Sequence, residues 1–99
     1  MAYFHLRLVP PRPTFPHDGS EKEMEAMDRH ASYWREKAAE RTAIAVGPVF
    51  DAEGAWGMAV VEVDNEAAAR AVADNDPVIL AHLGFHFRVS PMPSLILRS

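Results

Sequence analysis

Three residues in this chain have side chains suited to moving protons: His30, Asp51 and Asp76. Histidine is the side chain most easily tuned to exchange protons near neutrality, and it works best when a carboxylate orients its ring. Two carboxylates are candidates for that role. Asp51 sits in the turn of Gly47-Pro48-Val49-Phe50-Asp51-Ala52-Glu53-Gly54, and Asp76 precedes Pro77 at the start of a short helical segment. Each also has a purely local explanation. An Asp in a turn bonds its own backbone, and an Asp before Pro caps the amides of a helix start. A lone histidine at the border of a core stripe is likewise more often structural than catalytic.

Other chemistries find little support. The chain has no cysteine, hence no disulfide framework and no thiolate nucleophile or ligand. Neither a phosphate-cradling Gly-Lys-Ser/Thr loop nor a dinucleotide fingerprint occurs. The histidines at positions 5, 17, 30, 82 and 86 do not fall at a His-Glu-x-x-His spacing. His82 and His86 are four apart, but Gly84 lies between them and breaks the helix that such a pair needs. No metal and no cofactor are therefore expected. Fourteen acidic against ten basic residues give a net charge of -4. This balance argues against nucleic-acid and anionic-membrane surfaces, which require clustered Lys and Arg. His5 and Arg7 interrupt the first apolar run, and no stretch is long enough to span a membrane. The expected location is cytoplasmic.

The elements that position these residues are legible from periodicity. Ala2 to Val9 alternates, with Phe4, Leu6 and Leu8 on one face, and Pro10-Pro11 ends the strand. Pro10 to Ser20 is a proline-rich loop, either a partial lid over a neighbouring site or a surface insertion. Ser20 with Glu23 three residues on has capping-box spacing and starts a helix that runs to about Arg41. Met24, Met27, Ala31, Trp34 and Ala38 form its expected buried stripe, with His30 on the border and Tyr33 pointing to the opposite flank. Thr42 to Phe50 and Ala55 to Val63 read as a β-hairpin. Trp56, Met58, Val60 and Glu62 share one face of its second strand, and the other face is apolar too. A helix from Glu66 to Ala73, a short helix from Val78 to Leu83 and a last strand from Phe85 to Ser90 complete the order. Leu95-Ile96-Leu97, in the tail at 92–99, is apolar and is expected to pack on its own subunit or a partner.

The whole is one domain over residues 1–99, an α+β fold with the ferredoxin-like order β-α-β-β-α-β. Its helices cover one sheet face only, so a second subunit is expected to cover the other, giving a homodimer through sheet faces. If the protein is an enzyme, Asp51 or Asp76 would hold the ring of His30. The imidazole would take a proton from a phenol or from a carbon next to a carbonyl. Trp34, Phe50 and Trp56 would provide an apolar wall, and Arg88 would receive developing negative charge. The alternatives are a non-catalytic small-molecule binding module and a structural dimeric domain.

At these residues the chain resembles the YCII-related, or YciI-like, family. The matching features are His30, Gly47-Pro48-Val49-Phe50-Asp51 with Gly54, Val61-Glu62-Val63, Ala71 through Asp76-Pro77, and the phenylalanine-bearing last strand ending in Ser90-Pro91. The resemblance implies a dimeric α+β-barrel and places the family's hallmark positions on His30, Asp51 and Asp76-Pro77. One related type acts as a lyase, removing chloride from a chlorinated hydroxyquinol without metal or redox cofactor. Two departures stand out: the Pro10–Ser20 connection is long, and Arg41-Thr42 stands where a glycine often separates helix from strand.

Overall fold

A computed structural model describes residues 1–99. The elements are β1 (Ala2–Val9), α1 (Glu21–Ala39), β2 (Ala43–Asp51), β3 (Gly54–Val63), α2 (Glu66–Asp74), α3 (Pro77–Leu80) and β4 (His86–Met92). The strands form one antiparallel sheet in the order β2-β3-β1-β4. The β-α-β-β-α-β order is thus present, with α3 added before the last strand. No helix is long and apolar enough to cross a membrane.

The closed barrel implied by the resemblance is not what forms. The sheet is open, and β2 and β4 are its free edges. Those edges also explain why two prolines sit inside strands. Proline has no N–H to give to a ladder, which is tolerated where a strand has a neighbour on one side only. Pro48 pairs with Gly57 on one edge, and Pro91 pairs with Phe4 on the other. β4 therefore continues through Pro91 to Met92 instead of stopping at Ser90.

Register decides which face each side chain takes. Phe4, Leu6 and Leu8 of β1 are buried on the helix-covered face, opposite Val61, Ala59 and Gly57 of β3. These residues build the core with Trp34, Ala43, Ala69 and Ala73, while Phe15, Ala26, Val78 and Phe85 gather round Leu8. Tyr3, His5 and Arg7 alternate onto the other face, which the helices leave bare.

The stripe of α1 behaves differently from its sequence expectation. Of its five members only Trp34 is buried; Met24 and Ala38 are exposed, and Met27 and Ala31 are partly so. The stripe does face the sheet, but Ala31, Ala38, Ala55, Gly57 and Ala59 are too small to close the gap to β2 and β3. The tail beyond Met92 is irregular, and Ile96 is 97% exposed rather than packed on its own chain.

The 10–20 loop is anchored at its root. Arg12 makes a two-pronged contact with Glu23, both arms at 2.8 Å, and also bonds Asp18. Ser20 and Glu23 close the expected capping box. The guanidinium and the Ser20 amide together pull the Glu23 carboxyl down to about 2. Phe15 is buried edge-to-face on Phe85 at 5.1 Å. At the other end the Pro13 carbonyl lies so near Gly54 (φ +130°) that a Cβ there would sit 2.8 Å away.

The exit from α1 explains the departure at Arg41. The Thr42 amide bonds the Lys37 carbonyl and the Arg41 amide bonds that of Ala38, the paired contacts of a Schellman ending. That ending puts residue 41 at φ +70°, the left-handed conformation that suits glycine. Arginine holds it at a cost. We predict that Arg41→Gly raises stability by about 1 kcal/mol in urea unfolding, with an unchanged slope.

Candidate functional site

Asp76 is fully buried, and its carboxylate has three hydrogen-bond partners. Oδ1 accepts from the Val78 amide at 2.9 Å, which is the cap of α3. Oδ2 accepts from the Trp34 indole Nε1–H at 2.7 Å and lies 2.6 Å from Nδ1 of His30. The two explanations that the sequence offered for Asp76, capping and pairing with His30, therefore hold together. One oxygen serves each.

Local sequence accounts for the convergence. His30 and Trp34 are four apart on α1 and so present their side chains to the same place. Asp76 is fixed by Pro77, whose ring suits the first helical position and carries no amide to satisfy. Burying an ionised carboxylate without partners would be prohibitive, and three N–H donors supply the compensation. An indole and a backbone amide can only donate, so both oxygens already act as acceptors. An ionised carboxylate can only accept, so with Asp76 ionised the 2.6 Å contact makes Nδ1 of His30 the protonated ring nitrogen. Nε2 then carries the lone pair and has no partner within the chain.

His30 also borders a cavity of about 650 Å³ between α1 and the sheet, with 14% of its side chain exposed. Met27, Ala31 and Trp34 form one wall, Val46, Pro48 and Phe50 of β2 another, and Phe85 and Phe87 a third. Pro10, Phe15 and Pro16 of the loop close one end. Met24, Val46 and Phe50, three of the chain's exposed large apolar side chains, all lie on this cavity.

The remaining expected site residues are distributed unevenly. Trp34 is part of the cavity wall, yet it is 3% exposed and its indole is committed to Asp76. Phe50 stands at the rim, 65% exposed. Trp56 borders the cavity from β3, but its ring lies against Arg7 (4.1 Å) and His5 (6.0 Å) on the bare sheet face. Asp51 lies on that same side. It bonds the Glu53 amide at 2.9 Å and the Trp56 indole at 3.0 Å, which hold its carboxyl below the usual range. It makes no contact with His30. Arg88 pairs in register with Arg7, away from the cavity. The structure thus brings His30, Trp34 and Asp76 together and leaves Asp51 and Arg88 elsewhere.

The chain matches the model of the YCII-related domain over residues 3–93. It belongs to the YCII-related family. Comparison with curated proteins finds no match. In this YCII-related chain Tyr33 supports the site from behind: its hydroxyl donates to the Val72 carbonyl at 2.6 Å, so it docks on α2 rather than pointing away. Burial, with the negative charge of Asp76 adding to it, pushes the Tyr33 phenol up to about 12, so it stays a neutral donor. No three His, Asp or Glu side chains group to hold a metal ion.

Two features of the site were not read from the sequence. One is the indole bond of Trp34 to Asp76, signalled only by its i+4 spacing from His30. The other is Arg35, which borders the cavity. Removing the Asp76 carboxylate leaves two buried N–H donors unpaired, so Asp76→Ala is predicted to cost about 3 kcal/mol or more. Asp76→Asn, which retains an acceptor, is predicted to cost less. Urea unfolding of the two variants checks both.

Proposed function

We propose that this protein is an acid–base catalyst without a redox step, acting on a small, largely apolar substrate in the α1–sheet cavity. The observation that carries the reading is the 2.6 Å contact of His30 Nδ1 with the buried Asp76 carboxylate, at the wall of an apolar cavity. Asp76 fixes the ring and its tautomer, so Nε2 is the base. A proton leaves a phenolic oxygen, or a carbon next to a carbonyl, and its bonding electrons remain on the substrate. The proton binds Nε2, and the resulting imidazolium is stabilised by Asp76 at Nδ1. Return of the proton from Nε2, to the same atom or another, completes the cycle. The apolar walls strengthen both interactions by excluding water.

The predominance of apolar lining favours one second reading, a non-catalytic module that holds a small molecule with His30 as a contact. Hydrogen–deuterium exchange separates the two. The parent protein is incubated in D₂O with a panel of aryl-substituted 2-oxo acids, and loss of the methylene proton signals is followed by NMR. Catalysis predicts accelerated exchange for at least one member, and a loss of about 10²-fold or more in His30→Gln. Exchange no faster than in buffer across the panel, with ligand-induced shifts at His30, would select the binding module instead.

A further inference from the structure

Among the residues lining the cavity, only two carry a side chain that can bear charge in the accessible pH range, His30 and Arg35. No carboxylate faces the cavity; Asp76 is behind His30 and bonded to three N–H groups. Arg35 makes no ion pair or side-chain hydrogen bond, and of the chain's unpaired lysines and arginines it is the one that lines the cavity. Its guanidinium is therefore a free, permanently charged set of donors at the edge of an apolar space.

Helix geometry sets how the two polar groups relate. His30 and Arg35 are five residues apart on α1, about 7.5 Å along the axis and about 140° round it. Met27, Ala31, Trp34 and Ala38 lie between them, so the two mark opposite borders of one apolar strip. His30 is the sheltered border, next to α3, while Arg35 is exposed. The facing wall of Val46, Pro48 and Phe50 offers no competing charge.

From this arrangement we infer that the cavity takes apolar organic anions, with the anionic group held by Arg35 and the apolar body lying across the α1 strip toward His30. This rests on the proposed proton-handling role of His30 and adds the substrate class. A carboxylate or sulfonate matches the guanidinium fork, and the apolar body fills the wall left open by the small side chains. Arg35, not Arg88, is the arginine at this cavity; Arg88 lies on the other sheet face.

Two fluorescent probes of nearly the same shape test this, 1-anilinonaphthalene-8-sulfonate and its uncharged relative N-phenyl-1-naphthylamine. Their position is read from the methyl NMR signals of Met24 and Met27, which line the cavity. Near-UV circular dichroism reports that each variant is folded. The parent should bind the sulfonate about tenfold tighter than the neutral probe. Arg35→Met should erase that preference by weakening the sulfonate alone, and Arg35→Lys should retain part of it. Equal affinity in the parent, a parallel loss of both probes in Arg35→Met, binding away from Met24 and Met27, or no binding would each overturn the inference. The readout is independent of proton exchange. If exchange is absent but the sulfonate preference stands, only the catalytic reading falls; the reverse result removes this inference alone.

Discussion

A single buried carboxylate organises the functional half of this molecule. Asp76 receives three N–H donors from three different places: the first turn of α3, the indole of Trp34 and the ring of His30. Because a buried negative charge tolerates few arrangements, those donors have little freedom to move. The carboxylate therefore ties α1 to α3, fixes the rotamer of His30 and chooses its tautomer. Fold stability and site geometry depend on the same contact, so their effects on mutation should be coupled.

The cavity has a complementary origin. A long amphipathic helix normally lays its stripe on the sheet and closes the gap. Here small residues on α1 and β3 face one another across the cavity, while the bulky Trp34 in its second half and the Arg12–Glu23 clamp at its first turn hold the helix in place. The helix is held at a distance that its own side chains do not fill. Apolar residues at a lining, rather than in a core, are what a site for a small molecule needs.

Much of the fold was legible in the sequence because it rests on short-range rules. Alternation located the strands, Ser20 and Glu23 marked the start of α1, and Pro77 marked that of α3. Strand parity already placed Trp56 on one face with Met58 and Val60. What parity cannot say is which face the helices choose, and that choice separated Asp51 and Arg88 from His30 and left Trp56 only bordering the cavity. The sequence places Trp34 in the stripe and the wall but not at Asp76, because the direction of an indole N–H depends on tertiary placement. The stripe of α1 was read as core because periodicity reports a facing direction and says nothing of distance. The expected barrel is not formed: the four-stranded sheet, ordered β2-β3-β1-β4, is open and leaves both outer strands unpaired.

The central claim is that Asp76 fixes His30 with a proton on Nδ1 and a lone pair on Nε2. Long-range nitrogen–proton NMR correlations of the imidazole read this directly in the intact protein at neutral or higher pH, with His30→Gln used for assignment. The account predicts the Nδ1–H tautomer in the parent and a mixture shifted toward Nε2–H in folded Asp76→Asn. An Nε2–H ring in the parent, or a tautomer balance that Asp76→Asn leaves unchanged, would contradict it.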